Sequence, residues 1–358
     1  MNTDTWYIMH AKKRVASLCK NGLCKIYLPD FMPYNLYMEE SDDIDSRINN
    51  LNNFYYWCAT RVLSLDRQYA KEILNSIGAK QATTDRDRAE IALSYHCLSL
   101  SDVYWVCREG ENADFSEINL FENRLDNAFV DLALNGKQMT VQNSSLIADN
   151  VSTVGCFPKA WIRTDGDIYL LKDGGSKFVE NEITASRICS HFKCNRVMYD
   201  EYEFEGQKVS RCRLSTSLKY ANVSMAAYTI YCANNEKDEI QDIMELDLHG
   251  YCMMNILDYL IGNTDRHWEN WGVMVDNETN KPIRLYDLMD FNQAFNSYND
   301  TDGANCLTAK GLNQREAAEQ AVKRIGLNQI SSIDESVFRG NAQKLDMFKK
   351  RLSILQSI

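Results

Sequence analysis

The sequence predicts an α+β chain on three observations: strand-like runs around tight turns at the start, helical periodicity in two long stretches, and an acid-bearing polar loop between a long helix pattern and a strand hairpin. Trp6 to His10, Arg14 to Leu18 and Leu23 to Leu28 read as three short strands, the last two joined by the hairpin signal Asn21-Gly22. From Ile44 the periodicity becomes helical, over Ile44 to Leu63, Arg67 to Ile77 and Arg86 to Cys97, with Thr84 as the cap of the third. Glu117 to Leu134 forms a fourth, closed by Asn135-Gly136. The polar stretch Asn135 to Asn150 then marks a boundary, so residues 1–140 are expected to form an accessory domain, mostly helical after a short β-meander.

Beyond it, Val151 to Pro158 is a small-residue loop with Ser152, Thr153 and Gly155, leading through Lys159 into a strand at Ala160 to Arg163. Thr164-Asp165-Gly166-Asp167 is a hairpin turn, and Ile168 to Leu171 a second strand that delivers Lys172. Backbone amides around a phosphate, followed by a strand lysine reaching the phosphates, are one way to neutralise a triphosphate. The loop holds only Gly155 as glycine, so an ordinary hairpin lead-in is the bland alternative. After the turn Asp173-Gly174-Gly175-Ser176, a helix is expected over Phe178 to Phe192 with Glu180 and Glu182 in its first turn. Acids there suit any helix dipole, but a glutamate on this helix can also aim the lysine, and Glu182 is preferred over Glu180.

The long helix runs from Glu239 to Ile261, with apolar residues at three- and four-residue intervals, and ends at Gly262-Asn263. Trp271 to Val275 and Ile283 to Tyr286 read as two strands around the polar turn Asp276 to Pro282. Asp265 and Asn270 thus fall on a helix-to-strand loop, five residues apart, and Asp287 directly follows the second strand. Phosphoryl transfer uses such a set: a loop acid to orient the attacking hydroxyl and take its proton, and an amide and a second acid to hold Mg²⁺. A capped helix before a surface hairpin is the bland alternative. Asp290, in Met289-Asp290-Phe291-Asn292, is a rival metal ligand, with Asp287 preferred for its place at the strand end. His267 is a candidate to position the loop or touch a phosphate, or simply to make a structural hydrogen bond.

Ser152 to Lys159, Leu171-Lys172, Glu180-Asn181-Glu182, the loop Asn263 to Asn270 and Leu285-Tyr286-Asp287 together resemble, in order and spacing, the HipA-like serine/threonine kinases. The resemblance covers about residues 145 to 358 and is most specific at the Asn-Thr-Asp-x-His-x-x-Asn loop. It implies a two-lobed protein-kinase-like fold, with a β-rich small lobe over 145–225 and a helical lobe over 226–358. It further implies ATP and Mg²⁺ as cofactors, Asp265 as catalytic base, Asn270 and Asp287 as metal ligands, Lys172 as the phosphate lysine and Ser152 as a site of autophosphorylation. Because members of that family are toxin halves of toxin–antitoxin pairs, an antitoxin-like or regulatory protein partner and a protein substrate are expected. Two departures stand out: Cys156-Phe157-Pro158 in the phosphate loop, and an N-terminal part unlike the family's usual subdomain.

Composition sets the outer bounds. With 358 residues, 45% hydrophobic and 25% charged, the chain reads as an ordinary globular protein with room for two or three units. It has neither a leader pattern nor an uninterrupted apolar span, so a cytoplasmic protein away from membranes is expected. A net charge of −11 argues against a broad nucleic-acid surface. The 12 cysteines lack paired metal-ligand spacing and read as reduced, mostly buried thiols. A nucleotide-binding pseudokinase acting as an interaction module, and a kinase for a metabolite or lipid headgroup, are the alternative functions, because phosphoryl-transfer machinery does not itself name the acceptor.

Overall fold

The computed structural model describes residues 5–62, 84–123, 159–172, 174–204, 206–295 and 300–358. They fall into two compact units. The first comprises Met1–Leu170 with Thr216–Ala221 and Asp276–Lys281; the second comprises Leu171–Ser215, Asn222–Val275 and Pro282–Ile358. This differs from boundaries at 140–145 and 225–226. The hairpin before Lys172 goes with the N-terminal part because the Arg163 guanidinium bonds the carbonyls of Leu120, Phe121 and Asn123.

In the first unit, β1 (Thr5–His10), β2 (Lys13–Cys19), β3 (Cys24–Ile26) and β4 (Tyr104–Arg108) form a sheet in the order β3-β2-β1-β4. Alternation along β1 turns Trp6, Ile8 and His10 inward. Helix α1 (Ile44–Thr60) packs its Phe54 ring 5.2 Å from Trp6. Helix α2 (Asp85–Leu93) starts at Thr84 with the expected cap, reinforced by a reciprocal bond from Asp87. Helix α3 (Phe115–Ile118) stops at Asn119, whose side chain bonds back to the Phe115 carbonyl; most of the helix expected over Glu117 to Leu134 lies outside the described residues. The helix expected over 67–77 lies outside the described residues.

The segments around 216–221 and 276–281 join this unit through specific bonds. The Thr216 hydroxyl donates to the Leu100 carbonyl at 2.5 Å; Tyr104 donates to the Asn280 side chain at 3.0 Å; Tyr34 donates to the Asn280 carbonyl at 2.9 Å. Strands β5 (Lys159–Thr164) and β6 (Asp167–Lys172) turn at Asp165 and Gly166, both with positive φ, as a two-residue hairpin requires.

In the second unit, α4 (Ser176–Cys189) is followed by the antiparallel hairpin of β7 (Tyr199–Phe204) and β8 (Gln207–Arg213). Strand β9 (Tyr220–Ser224) leads into α5 (Met225–Asn234), and α6 covers Glu239–Ile261. Strands β10 (Gly272–Asp276) and β11 (Lys281–Leu285) complete a three-stranded sheet with β9, most of it in this unit. A Cβ at Gly272 would lie 2.0 Å from the Val223 carbonyl oxygen, so the β9 to β10 approach requires glycine there. Helices α7 (Gln314–Ile325) and α8 (Ala342–Gln356) close the chain. Helix α6 is not continuous as its periodicity suggests. Asp247 is non-helical (φ −153°, ψ 72°), and its carboxylate accepts from Gly250 N at 2.8 Å and Leu285 N at 3.0 Å. The residues from Leu248 onward therefore form a freshly capped helix, buried from Tyr251 to Ile261. Among the described residues, no helix is long and apolar enough to cross a membrane.

Candidate active site

The loop 263–270 is held in the first place from the end of α6. Gly262 adopts the left-handed conformation (φ 61°, ψ 42°) that stops the helix, and a Cβ there would lie 3.0 Å from the Arg351 guanidinium. One turn earlier, Asp258 is buried and binds Arg266 with both oxygens at 2.9 Å, while one of them also accepts from Asn263. The Gln314 side chain holds the Asn263 carbonyl at 2.5 Å. The far end is pinned by Ala226 N to the Trp268 carbonyl and Met225 N to the Trp271 carbonyl.

On this frame Asp265 stays partly exposed while Asn270 is buried. The Asn270 amide nitrogen donates to the Asp265 carbonyl at 2.7 Å, which leaves the amide oxygen as the face available to a cation. Partial burial raises the pKa of Asp265, an effect opposed by His267 and added to by the charge of Asp290. His267 is largely exposed, with Nε2 3.9 Å from the Asp265 carboxylate, and its Nδ1 accepts from Glu269 N.

A second cluster forms around Lys172 at the end of β6. Its ammonium is 2.6 Å from Glu182, 3.1 Å from Asp290 and 3.3 Å from the Tyr199 hydroxyl, and both Lys172 and Glu182 are buried. Burial works against the charged amine, but Asp290 and then Glu182 outweigh it and hold its pKa well above the ordinary value. The other Glu182 oxygen accepts from the Ser210 hydroxyl at 2.5 Å, so the carboxylate is fixed from both sides. Glu180 points elsewhere, to Lys344 at 2.7 Å.

The two acids after β11 separate clearly. Asp287, the sequence-preferred metal ligand, pairs with Arg284 at 2.8 Å and makes no contact with Lys172. Asp290 reaches the lysine and carries a positive φ of 58°, a strained conformation that aspartate tolerates better than most residues and that recurs at functional sites. Asp290 lies five residues beyond the end of β11, and the chain between turns its carboxylate towards Lys172. The structure therefore brings together Lys172, Glu182 and Asp290, with the Asp290 charge felt at Asp265 and Arg266. Ser152, Thr153 and Gly155 lie outside the described residues, and Lys159 opens β5 in the first unit.

Sequence reasoning missed Asp258, Arg266, Tyr199 and Ser210 as supports. The available signal was Asp258 itself, an acid in the run Tyr251 to Ile261, which only Asn255 otherwise interrupts with a polar amide. No group of three His, Cys, Asp or Glu side chains able to hold a metal occurs among the described residues. An amide oxygen on Asn270 and a carboxylate on Asp290 are nonetheless hard donors of the kind Mg²⁺ takes alongside phosphate oxygens.

A β-hairpin ending in a buried lysine, a helix glutamate paired to it, and an acid-and-amide loop after a long buried helix define a protein-kinase-like fold. Comparison with solved structures bears this out. The chain is similar to HipA of Shewanella oneidensis MR-1, solved with HipB and operator DNA, at 11% identity and a TM-score of 0.53, covering 98% of both chains. That likeness shows the fold and supports the resemblance to HipA-like kinases. It also runs through the N-terminal part, beyond the C-terminal residues that the sequence resemblance covered. A Helicobacter pylori proinflammatory kinase, CtkA, matches at 15% identity and a TM-score of 0.44, over 57% of this chain and 92% of that one. Protein-family models and curated proteins give no match.

Proposed function

We propose that the chain is a Mg²⁺-dependent kinase that transfers the γ-phosphoryl group of ATP to a serine or threonine hydroxyl of a protein. The observation that carries this reading is Lys172 held jointly by Glu182 and Asp290, with the charge of Asp290 acting on Asp265. Lys172 would meet phosphate oxygens, aimed by Glu182. Asn270 and Asp290, in place of Asp287, would hold the metal, which when bound neutralises charge on the transferring phosphoryl group. Asp265 would orient the acceptor hydroxyl and take its proton, with Ser152 as an acceptor within the chain itself. A protein partner is part of the proposal, since HipA was solved with HipB.

The test is intact-mass spectrometry after incubation with Mg-ATP. A gain of phosphate by the wild type, lost in Asp265→Ala and Asp290→Asn but retained in Asp287→Asn, is the expected outcome. Phosphate gain surviving in Asp265→Ala, or lost in Asp287→Asn and kept in Asp290→Asn, would overturn the assignment of roles.

A further inference from the structure

We infer that Arg266 is a positioning residue that sets the spacing of the two metal donors, and so the affinity for Mg²⁺; this rests on the kinase reading above. One nitrogen of its guanidinium, Nη1, bonds two carbonyls at once: that of Asn270 at 2.7 Å and that of Met289 at 2.6 Å. The first belongs to one proposed metal donor; the second lies in the residue immediately before the other, Asp290. The remaining nitrogens are locked on Asp258 at 2.9 Å each, and both partners are almost fully buried. Two chain segments 19 or more residues apart in sequence are thus tied to one point on the rigid end of α6.

A cation bound by two separately mobile donors must pay for their ordering; donors already fixed relative to each other do not impose that cost. Groups that orient metal ligands from behind in this way typically change metal affinity by about 10- to 100-fold when removed. Asp258 balances the charge of Arg266, so the pair adds little net field at the site and its effect is geometric. Lysine cannot replace it. A single ammonium keeps the charge but cannot span Asp258 and both carbonyls, because the planar fork is what reaches both sides.

The experiment titrates Mg²⁺ against binding of a fluorescent ATP analogue, with folding checked by circular dichroism. Arg266→Lys is expected to raise the Mg²⁺ midpoint by about 10- to 100-fold, while binding of the analogue in EDTA stays as in wild type. The double variant Asp258→Asn/Arg266→Gln, which leaves no unpaired buried charge, is expected to do the same and decides the matter if Arg266→Lys does not fold. A folded variant with the wild-type midpoint, or one that loses analogue binding equally with and without metal, overturns the inference. Absence of any Mg²⁺-dependent binding in the wild type would instead remove the kinase reading beneath it.

Discussion

At Asp265 the proposed chemistry comes at a cost in stability. Its carboxyl holds a proton more tightly in the folded chain than in the unfolded one, because burial and Asp290 disfavour its charge. Between the unfolded and the raised folded pKa the folded state binds more protons, so stability falls as pH rises through that window, and the full cost is present at neutral pH. Asp265→Asn should therefore raise the melting temperature at pH 7 while lowering transfer by about 10²- to 10⁴-fold. A lower melting temperature in that variant would contradict the account. For the same reason, transfer should fade on acidification at a higher pH than an ordinary aspartate would set. The loop position of this residue was legible in the sequence because its partners, Asn263 and Asn270, lie within a few positions of it. Asp290 was not, since two acids three residues apart after a strand look alike until the backbone turns one of them towards Lys172.

At the level of elements, local signals were readable where turn or cap chemistry fixed them: Thr84, the Asp165-Gly166 turn and the end of α6 at Gly262. Strand β4 escaped because Tyr104 to Cys107 are all buried and give no alternation. The break in α6 escaped because its apolar spacing carries on past Asp247, while the cue, a carboxylate serving two backbone amides, exists only in three dimensions. Asp247→Ala leaves Gly250 N and Leu285 N without that acceptor and should cost about 1–3 kcal/mol, measured by urea unfolding. Asp247→Asn, which retains an acceptor oxygen, should recover much of the loss. Equal stability of wild type and Asp247→Ala would mean the cap contributes nothing.

At the scale of the whole molecule, one source of acid sensitivity lies in the first unit. His10 is buried between the rings of Phe31 and Tyr104, and burial lowers its pKa to about 4. The unfolded chain takes up that proton near 6.5, so between these values it binds more protons than the folded one. Stability is then complete above the upper value and drains away as pH falls towards the lower, by at most about 3 kcal/mol. Hydrogen-exchange protection factors, corrected for the intrinsic rate, should fall at pH 5 in β1, β2 and β4 more than in α6, and His10→Phe should flatten that response. An unchanged pH response in His10→Phe would locate the sensitivity elsewhere.

The division of the chain has a consequence for how it is made. The first unit draws on Thr216–Ala221 and Asp276–Lys281, and Asn280 supplies the acceptors for Tyr34 and Tyr104. A nascent chain that has emerged only to Leu170 lacks those groups, so the first unit's set of hydrogen bonds is complete only once Lys281 has left the ribosome. Neither unit is one continuous stretch of chain, so no single proteolytic cut can yield either of them whole.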